Sequence, residues 1–426
     1  MGHPGSGKTT FAAKFLYEGA RTYGERGLYI GFGEPERKFK QYMKNLGMDF
    51  DKLEQEGLIR IVTLPALAST DTAEMLAETV VKLINEFKPK RVVIDNIPAA
   101  IDVLGDVRAR AFIQTTLYNV LSYEDTTAIA VTDVYRGEKK PVTPSIEVVA
   151  DGVILMKAEI RGGLIVRKLI IEKLKGKKIP VAEVPFTLVK GEGIVMFTPP
   201  LTYEIPPPKL REPIEVGCEP LKNVLGPLYA GSQVAVITPV GMAIPPEVTV
   251  PLLRTVVKAK LKVLLVSLTN PSASIWCRIN SQVRKYGINE DELRKLLKIT
   301  SLNPTAYSVT ELMSVILDQV GEYGPEIFVL HGLETLSMLL PPREFTSFYL
   351  NIITRLRKAS VTTIYVTSTE VSDEISPIIN ASDIVISISK PSVSGGAFSV
   401  RVNVLKSYSG EPKALVSDYL KECLEG

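Results

Sequence analysis

Gly2-His3-Pro4-Gly5-Ser6-Gly7-Lys8-Thr9 stands at the start of the sequence and decides how the rest is read. It satisfies GxxxxGK[ST], the pattern of a loop that wraps phosphate groups. Glycines let successive backbone N–H groups turn toward an anion, and a helix beginning at the loop adds partial positive charge at its N-terminus. Lys8 is placed to reach the β- and γ-phosphates of a nucleotide, and Thr9 to ligate Mg2+. Gly2, Pro4, Gly5, Ser6, Gly7, Lys8, Thr9 and Thr10 are therefore the candidate nucleotide-binding set. Phe11, Phe15 and Leu16 continue on one face of the predicted helix. The competing reading is a Gly-rich turn with a chance Lys-Thr, and Asp95 weighs against it. That aspartate closes an apolar run, where a carboxylate can hold Mg2+. Seen alone, it also reads as a turn residue at a strand end.

Working outward, apolar runs of strand length alternate with helical patterns. Gly27 to Phe32, Leu58 to Leu64, Arg91 to Asn96 and Thr127 to Thr132 are separated by longer amphipathic stretches. This rhythm predicts an α/β fold with a mainly parallel sheet flanked by helices. Between two of these runs, Met75, Leu76, Val80, Leu83, Ile84 and Phe87 share a helical face, opened by Asp71 and Glu74 as a capping box. Prolines 199, 200, 206, 207, 208 and 213 then crowd one segment, which favours extended backbone and excludes helix or central strand. Residues 199–213 are read as a linker between domains 1–198 and 214–426.

Beyond the linker the landmarks return at one displacement. "GLYIGFGEP" ends at Pro35 and "VLLVSLTNP" at Pro271, 271 − 35 = 236. Asp95 of "RVVIDN" corresponds to His331 of "IFVLHG", and Thr126 of "TTAIAVT" to Thr362 of "TTIYVT", both again at 236. Gly47 and Leu53 match Gly287 and Leu293 at 240, which places a small insertion between. The sequence thus predicts two copies of one fold. In the second, Ile244 stands for Lys8, Pro245 for Thr9 and His331 for Asp95, so its phosphate lysine and Mg2+ carboxylate are gone. The second copy also has a strand-like Val234 to Ile237 ahead of its loop, whereas Met1 would align inside that strand. The expectation is that a natural start lies roughly 25 residues further upstream.

Composition bounds the partners. Lys plus Arg number 50 and Asp plus Glu 47, and a net charge of +3 gives no strong reason to expect nucleic acid or an acidic membrane as the main partner. The three cysteines, Cys218, Cys277 and Cys423, lie far apart and outside any CxxC pattern. They predict neither a disulfide framework nor a cysteine zinc site, and fit a reducing cytoplasm. No apolar run approaches the roughly 20 residues of a membrane helix, and no basic-then-apolar leader opens the chain. A soluble, cytoplasmic protein is expected. Few Gln, Cys and His beside many charged residues point weakly to a thermophilic source.

These residues resemble the KaiC-like branch of the RecA superfamily, of archaeal type, over nearly the whole chain. The resemblance implies an ATPase that binds ATP with Mg2+ and forms homo-oligomeric rings, hexamers among them. In that family the strand after the loop helix ends in Phe-Glu-Glu, whose acidic pair polarises the attacking water; here it reads Phe32-Gly33-Glu34, leaving Glu34 as the general base. A solvated residue in a Glu-Pro-Glu turn is the other reading of Glu34. A hairpin at Arg161-Gly-Gly163 leads to Lys173-Leu-Lys175-Gly176, similar to the family's Lys-x-Arg finger toward a neighbouring subunit's γ-phosphate. Lys175 keeps the charge of the usual arginine but loses its planar fork. Lys177 and Lys178 follow, so an ordinary basic strand end is an equal alternative. Catalytic candidates are thus Glu34, Lys173 and Lys175, and the Mg2+ ligands Thr9 and Asp95. The leading expectation is a slow ATPase whose inactive second domain serves assembly, regulation or an unidentified protein partner. A non-hydrolysing ATP-dependent scaffold is the alternative. A recombinase-like DNA-binding protein is favoured only by fold and basic stretches such as Arg136 to Lys140.

Overall fold

The computed structural model describes residues 1–64, 70–96, 126–134, 144–197, 206–215, 218–368, 376–390, 392–394, 397–408, 413–416 and 421–424. The basic stretch Arg136 to Lys140 lies outside them, as do the side chains of Asp71, Glu74, Met75 and Leu76. The protein divides into two compact units, Met1–Pro199 and Pro200–Gly426.

The first unit runs α1 (Lys8–Tyr23), β1 (Gly27–Phe32), α2 (Glu36–Asn45), α3 (Phe50–Gln55), β2 (Ile59–Leu64), α4 (Thr70–Phe87), β3 (Arg91–Asp95), β4 (Thr127–Ala130) and α5 (Pro144–Val149). Four strands follow: β5 (Gly152–Arg161), β6 (Leu164–Leu174), β7 (Glu183–Val189) and β8 (Gly193–Met196). The parallel sheet has the order β2-β1-β3-β4, and the second sheet the order β5-β6-β7-β8 with antiparallel pairing. Helix α4 begins at Thr70, so Asp71 lies inside its first turn rather than ahead of it.

Helix α1 sits between these two sheets, and that placement aims the loop before it. Small and apolar residues at helical spacing, Ala12, Ala13, Leu16 and Ala20, close against Tyr29, Ile59 and Val93 of the parallel sheet. Phe11 instead joins Met156, Leu169, Phe186 and Ile194 of the antiparallel sheet. The single face expected for Phe11, Phe15 and Leu16 is thus corrected: Phe15 and Leu16 share one cluster and Phe11 belongs to the other. A helix covered on two sides needs two apolar stripes. It starts at Gly7 (φ 94°) and stops at Gly24 (φ 64°), both left-handed. The hairpin between β5 and β6 turns on Gly162 and Gly163, both with positive φ.

The second unit opens with β9 (Lys209–Ile214), α6 (Glu219–Leu225), β10 (Leu228–Ala230), β11 (Gln233–Thr238), α7 (Pro246–Ala259), β12 (Val263–Ser267), α8 (Ser272–Lys285), α9 (Glu290–Leu296) and β13 (Leu297–Ser301). It continues with α10 (Val309–Tyr323), β14 (Ile327–His331), α11 (Glu334–Leu339), α12 (Pro342–Lys358), β15 (Thr362–Ser368), α13 (Ser376–Ala381) and β16 (Ile384–Ile388). The remaining strands are β17 (Ser392–Ser394), β18 (Ala397–Ser399), β19 (Arg401–Lys406) and β20 (Lys413–Val416). One eight-stranded sheet has the order β13-β12-β14-β15-β11-β16-β19-β20. Among the described residues strand β9, which contains Pro213, pairs with β10 alone, an edge position that suits a residue without an N–H.

The repeat extends to register. Gly27 faces Arg91 in the first sheet and Val263 faces Ile327 in the second, each partner displaced by 236. Between β15 and β16 the second unit inserts β11, all six residues of which are buried. In the corresponding place of the first unit, Gly2 makes parallel bridges to Asp133 and Met156.

The expectation of no disulfide is overturned: the sulfurs of Cys218 and Cys423 are bonded, across a sequence separation of 205. Both cysteines are buried in the cluster under β11 and β16, so tertiary proximity rather than spacing pairs them. Cys277 is free and exposed. Among the described residues no helix is long and apolar enough to cross a membrane.

Candidate functional site

Gly2 enters the site with no room for a side chain: a Cβ there would run into the Met156 carbonyl oxygen and come 2.7 Å from Ser6 Oγ. The chain then turns, with Ser6 N donating to His3 O (3.1 Å), and α1 starts as Phe11 N donates to Gly7 O (2.9 Å). The open N-terminal turn of α1 and the left-handed Gly5 and Gly7 make a nest of backbone N–H groups. The Ser6 hydroxyl is buried in this loop without a hydrogen-bond partner. An unsatisfied buried donor and a helix N-terminus suit an anion bearing several oxygens.

Lys8 and Asp95 are brought to this loop from α1 and β3. The Lys8 ammonium donates to His3 O (2.9 Å) and pairs with Asp133 Oδ1 at 2.9 Å. Asp95 stands at the C-terminal end of β3, where Tyr29 of β1 donates its hydroxyl to Asp95 Oδ2 at 3.1 Å. Burial pushes the Asp95 carboxyl above the ordinary carboxylate range, opposed by hydrogen bonds from Thr9 and Tyr29 and by the charge of Lys8. Burial, and then the charge of Asp95, push the Tyr29 phenol upward in turn. Thr9 and Asp95 therefore meet, as a Mg2+ site requires. Among the described residues no group of three or more His, Cys, Asp or Glu could hold a metal unaided. A Mg2+ ion that arrives with phosphates needs few protein ligands, so Thr9 and Asp95 fit it.

The other candidates take different positions. Glu34 lies in the turn after β1, where its backbone oxygen accepts from Thr63 Oγ1 (3.2 Å), and its carboxylate is near enough to act on the Tyr29 phenol. Gly33 has φ 81°, a left-handed conformation that disfavours any acidic side chain there. Lys173 donates to the carbonyls of Glu147 (2.8 Å) and Val148 (3.2 Å) at the end of α5. Lys175 pairs with Asp151 at 2.9 Å. Within this chain Lys173 and Lys175 are thus held at and just beyond the end of α5, not at the loop.

Three residues of the site were not foreseen from the sequence: Asp133, Asn96 and Tyr29. Asp133 follows the run Thr127 to Thr132 just as Asp95 closes its own, so strand-end position was the available signal. Asn96 donates through Nδ2 to Asp133 Oδ2 (2.8 Å), and neither residue belongs to a sequence pattern that names it.

In the second unit the same corner is built differently. Pro245 caps α7 and Pro246 opens it, so two N–H groups that could face a phosphate do not exist. Met242 and Ile244 turn inward onto the cluster that contains Cys218 and Val236. His331 Nδ1 lies 3.3 Å from Ser267 Oγ and 3.2 Å from Thr269 Oγ1, and burial lowers its pKa. A neutral imidazole bonded to hydroxyls is a structural histidine.

Residues 1–200 match the family model described as ATPase: KaiC. A UPF0273 protein of Methanocaldococcus jannaschii is 28% identical over 211 residues, covering 46% of this chain and 85% of that protein. A UPF0273 protein of Thermotoga maritima is 29% identical over 209 residues, covering 46% of this chain and 85% of that protein. A third, from Pyrococcus furiosus, is 29% identical over 210 residues, covering 46% of this chain and 83% of that protein. With the loop, the strand-end carboxylate and the family match in agreement, the first 200 residues of this chain belong to the KaiC-like ATPases of the RecA superfamily.

Proposed function

We propose that the first unit binds Mg·ATP and hydrolyses it slowly, and that the second unit has given up nucleotide for assembly or regulation. The observation that supports this most is the meeting of Lys8, Thr9 and Asp95 around a glycine-rich loop whose buried Ser6 hydroxyl lacks a hydrogen-bond partner. Lys8 would hold the terminal phosphates, and Gly5 to Thr10 would supply backbone donors and the Thr9 hydroxyl. Mg2+, held by Thr9 and Asp95, would neutralise phosphate charge. Glu34, just past the C-terminal end of β1 in the same sheet, is the acid proposed to orient water.

Lys173 and Lys175 remain candidates for a finger acting on a neighbouring copy, in a ring that includes the hexamer among its forms. That role requires them to leave the α5 carbonyls and Asp151 on assembly. A second reading, a switch that binds ATP without turnover, is favoured by Gly33: its φ of 81° leaves a single acid in the turn. The nearly balanced charge gives nucleic acid no comparable support.

ATP turnover measured against protein concentration, with Lys8→Ala as control, tests the proposal. Activity that rises faster than linearly and disappears in the variant supports an assembled ATPase. Binding without turnover above the control selects the switch, and absence of binding removes both readings.

A further inference from the structure

Lys8 is occupied in this structure: besides the His3 carbonyl of its own loop, it has an ionic partner outside the loop motif. Asp133 Oδ1 holds the ammonium at 2.9 Å, with side-chain exposures of 10% for Lys8 and 27% for Asp133. Asp133 itself is fixed from three directions. Asn96 Nδ2 donates to its second carboxylate oxygen at 2.8 Å. Its backbone is bridged to Gly2, and the next residue donates from Val134 N to Gly2 O (3.1 Å). The Val134 carbonyl accepts from His3 Nδ1 at 2.7 Å. The carboxylate cannot follow Lys8 if the lysine moves toward a phosphate.

We propose that Asp133 is a positioning residue that competes with nucleotide phosphate for Lys8 and so acts as a built-in brake on nucleotide binding. This rests on the reading of the loop as a nucleotide site. Both groups are anionic and both need the same ammonium, so binding must break the Lys8–Asp133 pair before Lys8 can serve the phosphates. Asp133, freed of Lys8, keeps Asn96 and the loop backbone as its partners. The brake is strongest where the phosphate charge nearest Lys8 is weakest. Replacing the carboxylate by an amide keeps the size, and the amide oxygen still accepts from Asn96.

The test is titration of Mg·ATP into wild type, Asp133→Asn, Lys8→Ala and the double variant by calorimetry, with circular dichroism confirming that each is folded. Asp133→Asn is expected to tighten binding by up to about fivefold, the worth of an ion pair of about 1 kcal/mol. In the Lys8→Ala background, where Asp133 has nothing to hold, the same substitution is expected to leave the residual affinity unchanged. Unchanged or weakened affinity in Asp133→Asn overturns the brake while leaving the nucleotide site standing. An equal gain in the Lys8→Ala background also overturns it, since bare repulsion of phosphate would then suffice. A wild-type protein that binds no nucleotide defeats the site reading and the brake with it.

Discussion

The two units share a strand order and a pairing register, yet at the loop after the first strand position they differ in nearly everything that matters to an anion. In the first unit that loop carries Gly5, Gly7, Lys8 and Thr9; in the second, the corresponding stretch ends in Ile244, Pro245 and Pro246. The shared register, Gly27 on Arg91 and Val263 on Ile327, belongs to near-continuous apolar runs of buried parallel strands, a pattern that many sequences satisfy. The loop depends on a few backbone donors and one ammonium, which two prolines and an isoleucine remove. A fold is thus a distributed property and this site a concentrated one, so duplication can keep the first while losing the second.

The largest expected effect that separates the units is the Cys218–Cys423 bond, which closes a loop within the second unit alone. Reduction, or Cys423→Ser, is expected to lower the unfolding free energy of that unit by about 2–5 kcal/mol. Calorimetry would show the loss in one transition. A shift carried by the first unit's transition instead would break the assignment.

Next comes Gly2→Ala. The added Cβ meets the Met156 carbonyl and Ser6 Oγ, and the expected cost is about 1–3 kcal/mol together with weakened nucleotide binding. The matching residue of the second unit, Thr238, already carries a side chain that bonds Ser368 Oγ at 2.8 Å. Thr238→Ala there is expected to cost only about 1 kcal/mol. Equal losses at the two positions would erase the distinction.

The smallest effect is one of pH. Asp95 must be ionised to hold Mg2+, and burial raises its pKa, so Mg2+-dependent nucleotide affinity is expected to fall as pH drops toward that raised value. Because the folded state keeps a proton that the unfolded state releases, the same shift removes stability as pH rises from the ordinary carboxylate value through the folded one. Asp95→Asn is therefore expected to abolish the pH step in Mg2+ affinity and to stabilise the first unit at neutral pH. The second unit, with neutral His331 in that place, should show no Mg2+ response.

Much of this was legible in the sequence, and what was not has a physical reason. The four strands of the first unit's parallel sheet, the α/β class and the 236-residue repeat follow from periodicity, a local signal that survives into burial and register. Lys8 and Thr9 became candidates because the loop motif combines glycines, a cation and a hydroxyl at fixed spacing, and Asp95 because it closes an apolar run; the structure brings the three together. Tyr29 and Asn96 were not, since a tyrosine inside a buried strand and an asparagine after one are unremarkable until β1, β3 and the end of β4 lie side by side. Asp133 needed the same juxtaposition. The disulfide was hidden by the opposite fault: spacing rules apply to local cysteine motifs, and Cys218 meets Cys423 only across a folded unit. Helix α1 showed two apolar stripes where one was expected, because its neighbour on the second side, the β5–β8 sheet, follows more than a hundred residues later.

The most direct test of one live site beside one lost site is the stoichiometry of Mg·ATP binding by calorimetry on the full chain, with Lys8→Ala alongside. The account predicts one nucleotide per chain, with affinity in the variant weakened roughly 10- to 150-fold, as the loss of a charge-assisted contact implies. Two nucleotides per chain, or undiminished binding in Lys8→Ala, would contradict it.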